Sequence, residues 1–163
     1  MITPAEIRVR VADYAVASGN RVIATVGLGS CVAIALYDPE ARVGGLAHIL
    51  LPSPALSWDH RNRAKFAGTA VPLLLEEMQA VGARLGRVRA KLAGGASMFA
   101  PLSPGGGLPM GERNVLAARE ALRHAGIVLV AQDVGGGHGR SVFLDTTDGR
   151  LTVKSLARGN VVL

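Results

Sequence analysis

Two short apolar segments joined by a polar connection dominate the first third of the chain and restrict its possible folds. They read CVAIALYD and VGGLAHILL, and the four residues PEAR lie between them. Short apolar runs bounded by Gly, Pro and charged residues are typical of β-strands. The pattern predicts a β-hairpin, so the fold must contain antiparallel sheet.

The remaining segments predict further strands and two helices. The stretch HRNRAKFAGTAVPLLLEEMQAVG has helical periodicity, and Pro72 within it predicts a kink or a break. A second helix, ERNVLAAREALRHA, is expected to stop at Gly126. The stretch AEIRVRVADYAVA alternates with period two and predicts one strand. In total we expect seven or eight strands and two helices, which is an α+β fold with mostly antiparallel pairing.

Length and composition favour one domain in a reducing compartment. The 163 residues suit a single domain over 1–163, and 49% hydrophobic residues with 4% aromatics predict an aliphatic core. The single cysteine excludes an internal disulfide. The longest uncharged run is rich in Gly and Pro, which argues against membrane insertion. We therefore expect a cytoplasmic protein.

The net charge of +6 raises the question of nucleic-acid binding. The basic residues are scattered, and the few aromatic residues do not alternate with them as base-stacking platforms would. Nucleic-acid binding therefore rests on charge alone and is not predicted. A solvated basic surface, or attraction to an acidic protein partner, explains the same charge.

The predicted hairpin determines whether the cysteine and a histidine share one face. Pairing Asp38 with Ala41 would place Cys31 directly opposite His48. A loop two residues longer would place His48 opposite Ala33, diagonal to Cys31 but on the same face. A loop with an odd number of residues would put the two side chains on opposite faces. The sequence leaves these registers open.

A thiol beside an imidazole is the chemistry of nucleophilic catalysis. Cys31 would attack a carbonyl carbon, and His48 would accept the thiol proton. Thr25, at the end of the preceding strand, would supply an oxygen acceptor to orient the imidazole. Backbone amides near Gly29 and Ser30 would stabilise an oxyanion. This chemistry needs no metal and no organic cofactor.

A purely structural interpretation competes with this one. A buried cysteine often fills space as a small apolar residue, and a histidine in an apolar strand is often a hydrogen-bonded core residue. One detail favours function, because His48 interrupts the apolar stretch GGLAHILLP, where an unpaired imidazole would cost free energy.

The segments around Cys31 and His48 resemble the CheD family of chemoreceptor glutamine deamidases. The resemblance begins with TVGLGSCVAIALYDP and GGLAHILLP and extends over most of the chain through KFAGTAVPLLLEEM, KLAGGASMF, GERNVLAAREAL and DVGGGHGRSVFLDTTDG. It implies a layered α/β/β sandwich similar to the catalytic domain of the cytotoxic necrotizing factor toxins. It also implies a catalytic triad, which falls by motif on Cys31, His48 and Thr25.

The function expected from this resemblance is hydrolysis of selected glutamines in methyl-accepting chemotaxis receptors to glutamate, through a cysteine thioester. A CheC-type phosphatase is the implied partner. The alternative is a non-catalytic regulatory module that binds such a phosphatase. The connection ASMFAPLSPGGGLPMG offers an apolar contact surface for receptor and phosphatase, represented by Phe99 and Leu108.

Two other polar residues have local interpretations. Asn114, in GERN, is expected to act at the start of the second helix, with a substrate contact as the alternative. His138, in DVGGGHGR, has no second ligand at a metal-site spacing, so we expect a glycine-rich turn there.

Overall fold

A computed structural model describes residues 5–97 and 107–163 of the chain. Within these residues, two five-stranded sheets and two α-helices form three layers. The strands in chain order are β1 (Ala5–Arg8), β2 (Tyr14–Ser18), β3 (Arg21–Leu28), β4 (Val32–Asp38), β5 (Val43–Ile49), β6 (Arg89–Gly94), β7 (Val128–Val134), β8 (Arg140–Asp145), β9 (Leu151–Ser155) and β10 (Gly159–Val162).

The first sheet has the strand order β1-β3-β8-β9-β10, and the second has the order β2-β5-β4-β6-β7. Pairing is antiparallel except between β1 and β3 and between β6 and β7. The helices α1 (Ala67–Ala80) and α2 (Met110–Ala125) contact the second sheet and each other. The predicted α+β class and the layered α/β/β arrangement are confirmed.

Two apolar cores hold the layers together. One lies between the helices and the second sheet, where strand residues such as Ile34 and Leu36 meet Leu74 and Met78 of α1. The other lies between the two sheets and is built mainly from Ala, Val, Ile and Leu. The central hairpin is buried on both faces because each face lines one of these cores, which explains its continuous apolar sequence.

The helix boundaries follow the sequence signals in part. Helix α2 ends at Gly126, whose φ of 74° is in the left-handed region that terminates helices. Helix α1 begins only at Ala67 and runs without interruption through Pro72, so the alternative of a break is wrong. Pro72 lies in the second turn, where its missing N–H removes a single backbone hydrogen bond. No helix among the described residues is long and apolar enough to cross a membrane.

The prediction of one strand over AEIRVRVADYAVA is wrong, because the chain leaves one sheet and enters the other within it. Strand β1 pairs with β3, and β2 pairs with β5. Between them the Val9 N–H donates to the Ala24 carbonyl, and Ala12 adopts a φ of 59° in a turn. Strand β10 was not predicted, since its four residues are all exposed and carry no burial pattern.

The hairpin of β4 and β5 adopts the second of the two same-face registers. Asp38 pairs with Val43, so the loop has four residues, and Ala33 pairs with His48. The buried Asp38 carboxylate accepts hydrogen bonds from the backbone N–H groups of Glu40 and Ala41, at 3.0 and 3.2 Å. These bonds fix the loop length and, with it, which residues share a face.

Candidate active site

The candidate site lies at one end of the core between the two sheets. Cys31 immediately precedes β4 and shares its inner face with Ala33 and Ala35. His48, on β5, lies directly opposite Ala33, so it is the diagonal neighbour of Cys31 on that face. Thr25, on β3 of the facing sheet, is fully buried and hydrogen-bonded to His48. The fold therefore brings these three side chains together at one sheet-to-sheet seam.

The Thr25 hydroxyl fixes the orientation and the tautomer of His48. Its oxygen lies 2.7 Å from His48 Nδ1 and 2.7 Å from the Val9 carbonyl oxygen. The hydroxyl has one proton, which it donates to the carbonyl, so Nδ1 must carry a proton and donate to Thr25. In the neutral ring, Nε2 is then the unprotonated nitrogen and the free base.

The backbone around His48 is held as firmly as its ring. Its N–H donates to the Asp13 carbonyl at 3.0 Å, and its carbonyl accepts from the Ala12 N–H at 2.8 Å. The turn at Ala12, which has a positive φ, is therefore hydrogen-bonded to the β5 backbone at His48. Among the described residues, Nε2 is buried without a hydrogen-bond partner. That nitrogen is available to a reacting group.

Burial sets the protonation states of both groups. It lowers the pKa of His48 to about 4, and it raises the pKa of the Cys31 thiol. The backbone N–H of Cys31 itself opposes the second shift. No hydrogen bond joins the thiol to the imidazole within the described structure. A neutral thiol beside a neutral imidazole, rather than a preformed ion pair, is therefore the resting state at neutral pH.

Three successive carbonyls hold the loop that carries Cys31. The Gly29 carbonyl accepts from the Ala96 N–H at 2.8 Å, and the Cys31 carbonyl accepts from the Gly95 N–H at 2.8 Å. Between them, the Ser30 carbonyl accepts from the side-chain amide of Asn114 at 2.8 Å. Gly29 and Ser30, which were predicted to line an oxyanion site, therefore belong to a segment whose backbone carbonyls are all hydrogen-bonded.

A glycine permits this close packing. Gly94, at the end of β6, has a φ of 109°, and a Cβ there would clash with the Cys31 carbonyl. Any larger residue would therefore displace the loop that carries the thiol. The motif KLAGGAS contained this signal, but the sequence did not reveal which segment approaches the glycine.

Asn114 is the residue whose position the sequence interpretation missed. It was expected at the helix start, but α2 begins at Met110, and Asn114 is fully buried in the next turn. Its amide nitrogen donates to the Ser30 carbonyl and, at 3.1 Å, to the Leu50 carbonyl. It therefore links the segment before Cys31 to the segment after His48.

The predicted partner surface is only partly described. Phe99 lies outside the described residues. Leu108 is 57% exposed and lines a groove of about 270 Å³. The other residues that line this groove come from β6, β7 and α2 and their neighbouring turns, and are Gly95, Glu112, Val115, Leu116, Arg119, Val134 and Gly135. Because Gly95 binds the Cys31 carbonyl, the groove is adjacent to the candidate site.

Comparison with known proteins identifies the family. A family model described as CheD chemotactic sensory transduction matches residues 50–155. The chain belongs to the CheD family. It is 52% identical over 153 residues to a Geobacter metallireducens protein named probable chemoreceptor glutamine deamidase CheD 2, covering 92% of this chain and 93% of the relative.

Two other CheD relatives match over similar lengths. Proteins named probable chemoreceptor glutamine deamidase CheD are 46% identical in Caldanaerobacter subterraneus subsp. tengcongensis and 45% identical in Pyrococcus horikoshii. The matches cover 94% of this chain and 94% of the first relative, and 96% of this chain and 96% of the second. Cys31, His48 and Thr25 precede the residues that the family model matches.

Proposed function

We propose that this CheD protein is a deamidase that hydrolyses glutamine side chains of chemoreceptors to glutamate, with Cys31 as nucleophile. The observation that carries the proposal is the state of His48. Thr25 fixes its Nδ1 as a donor, and Nε2 is left as a base without a partner among residues 5–97 and 107–163, on the face that holds Cys31. The deamidase names of relatives at 45–52% identity support the substrate class.

The reaction proceeds in two halves. As the substrate carboxamide arrives, His48 Nε2 takes the thiol proton of Cys31, and the sulfur forms a bond to the amide carbon. The oxygen of this tetrahedral intermediate gains a negative charge near the amides of the Gly29–Cys31 loop. Collapse breaks the carbon–nitrogen bond, and His48 returns the proton to the leaving ammonia. A water molecule, deprotonated by His48, then cleaves the thioester to glutamate and thiol.

The neutral resting pair suits this sequence of steps. Burial opposes a lasting imidazolium, because it lowers the pKa of His48 to about 4. Proton transfer from Cys31 is therefore coupled to attack on the substrate. The same low pKa makes His48 a strong acid for the departing ammonia. Thr25 accepts the Nδ1 hydrogen bond in both charge states, so the ring does not need to move.

The decisive experiment is deamidation of a purified chemoreceptor cytoplasmic fragment. We expect one ammonia to be released for each glutamate formed. Mass spectrometry locates each glutamine that has been converted to glutamate. Acid quenching during turnover should trap the thioester on the peptide that contains Cys31. The Cys31→Ala variant is the control for chemical background. A protein that releases no ammonia but binds a CheC-type phosphatase would be a regulatory module instead.

We infer that the receptor and a CheC-type phosphatase use one surface, at the groove lined by Leu108. The groove is mainly apolar and adjoins the Cys31 loop, which suits a helix that presents its side chains there. The positive net charge favours acidic receptor helices. Competition predicts that added phosphatase raises the KM for receptor without changing kcat. Phosphatase binding with unchanged KM would exclude a shared surface.

A further inference from the structure

The direction of the Cys31 backbone N–H is set by a contact from outside its loop, the hydrogen bond from Asn114 to the Ser30 carbonyl. The Ser30–Cys31 peptide is trans, as are all peptide bonds described. In a trans peptide the carbonyl and the following N–H point in opposite directions. The Ser30 carbonyl is directed to Asn114, so the Cys31 N–H is directed away from α2.

Asn114 is suited to fix this peptide and not to act on the substrate. Both groups near its amide are backbone carbonyls, which only accept, so the atom facing them must be the amide nitrogen. The residue is fully buried, and the bond to the Leu50 carbonyl restrains the rotation of the carboxamide. Its Oδ1 is buried without a partner among the described residues.

His48 does not depend on Asn114 for its position. Its ring is held by Thr25, and its backbone is bonded to Ala12 and Asp13. The Leu50 N–H is itself bonded to the Lys65 carbonyl at 2.9 Å, so the strand after His48 has a separate anchor. The Ser30 carbonyl, in contrast, has Asn114 as its hydrogen-bond partner in the described structure.

We propose that Asn114 is a positioning residue that holds the Cys31 N–H toward the oxyanion of the reaction. The proposal rests on the proposed function of Cys31 as the nucleophile. Without the Asn114 amide, the Ser30 carbonyl loses its partner, and the Ser30–Cys31 peptide can turn between its two anchored neighbours, so that the donor leaves the developing negative charge. The main effect falls on the steps that form an oxyanion, because the imidazole keeps its own contacts.

Two reagents separate this role from a general loss of structure. Acylation of Cys31 by p-nitrophenyl acetate passes through a tetrahedral oxyanion, whereas alkylation by iodoacetamide is a direct displacement at carbon and forms none. Both report on the same thiol and need no receptor. The ratio of the two rates therefore measures the oxyanion site alone.

The variants are Asn114→Leu and Asn114→Asp, with Asn160→Leu as the control at an exposed asparagine. We expect both Asn114 variants to lower the acylation rate and kcat for receptor deamidation by about 10²-fold, with unchanged KM. Their alkylation rates should fall much less than their acylation rates, and only through a shift of the alkylation pH profile to higher pH, because the rotated Cys31 N–H no longer favours the thiolate. The control should change neither rate.

Two results would overturn the proposal. One is an acylation rate close to that of the wild type. The other is an equal fall in acylation and alkylation, which would show that Asn114 only supports the fold. If the wild type does not deamidate receptors while the rate ratio still falls in the variants, the proposed function fails and the positioning role remains.

Discussion

The two halves of the candidate site are held by different kinds of contact. On the histidine side, a side-chain hydroxyl fixes the ring, and backbone bonds fix the strand on which it lies. On the cysteine side, three carbonyls anchor the loop, while in the described part of the chain the thiol makes no hydrogen bond to the imidazole. In the proposed mechanism, the base is thus oriented before substrate arrives, and the nucleophile completes its contacts only during the reaction.

The two halves should therefore be sensitive to different substitutions. The histidine half depends on a few fully buried polar side chains. Replacing one of them with an apolar residue of the same shape should therefore lower activity and stability. The cysteine half depends on backbone geometry, so it should respond to changes in the residues that approach its carbonyls. Substitutions in each half test whether the two modes of support are separate.

The largest effect is expected from removal of the thiol. Cys31→Ala should reduce ammonia release from receptor to the uncatalysed rate, because no other cysteine exists in the chain. The residue fills little space, so circular dichroism and the unfolding midpoint should stay close to wild type. Cys31→Ser should be as inactive, since a hydroxyl is a poorer acid than a thiol. Activity in either variant would place the nucleophile elsewhere.

Removal of His48, the proposed base, should cause the second-largest loss of activity. His48→Ala should lower kcat by about 10²–10⁴-fold, the range for general acid–base catalysis, with little change in KM. His60→Ala is the matched control, because His60 is exposed. Steady-state ammonia release measures both variants. A His48 variant with more than a tenth of wild-type kcat would contradict the role of His48 as base.

The buried imidazole should also make stability depend on pH. The pKa of His48 is about 4 in the folded protein and 6.5 ordinarily, so between these values the unfolded chain binds the proton and the folded chain does not. Lowering the pH through this window should therefore reduce the free energy of unfolding by up to about 3 kcal/mol. Urea titrations at several pH values test this.

In the same titrations His48→Gln should lose that pH dependence, and His60→Gln should retain it. An unchanged slope in the His48 variant would show that other groups cause the acid sensitivity. The two glutamine variants therefore assign the stability effect to one ring.

Removal of the orienting hydroxyl should have a smaller effect on catalysis. Thr25→Val keeps the shape but leaves the Val9 carbonyl and His48 Nδ1 unpaired, which should cost about 1–3 kcal/mol of stability. We expect kcat to fall about tenfold, corresponding to about 1.4 kcal/mol. Thr25→Ser keeps the hydroxyl and should restore both values. A loss in Thr25→Ser as large as that in Thr25→Val would show that the hydroxyl alone does not restore the role of Thr25, contrary to this prediction.

The smallest effect is expected outside the seam. Leu108→Ala should raise the KM for receptor by about fivefold through lost apolar contact, and it should leave kcat unchanged. Leu156→Ala, at a fully exposed leucine outside this groove, is the control. Equal KM values for the two variants would argue against contact of receptor with the groove.

The sequence predicted the hairpin because its apolar runs and turn residues are local signals. It also limited Cys31 and His48 to two same-face registers or an opposite-face one, and the structure has Ala33 opposite His48. The choice depends on how the loop bonds to the Asp38 carboxylate, which no periodicity reveals. The fold resemblance supplied the layered arrangement, which residue patterns alone left as α+β.

The contacts that the sequence did not predict are those between distant segments. Asn114 bonds to Ser30 across 84 positions, and such a contact has no local signature. The crossing of the chain between sheets near Ala12 was missed, although the apolar positions change from odd to even numbers between Val11 and Ala12. Patterns describe which face a residue occupies, but not which sheet that face belongs to.

The crossing near Ala12 determines what the protein would lose if its first strands were removed. Residues 5–18 supply an edge strand to each sheet. They also supply the backbone groups that form hydrogen bonds with the His48 backbone and with the Thr25 hydroxyl. A chain that begins at Arg21 would keep the three side chains of the proposed catalytic triad but would lack these backbone contacts. Supplied as a separate peptide, residues 5–18 would then act as a detachable activator, and the protein would become a two-piece enzyme whose activity reports the joining of its parts.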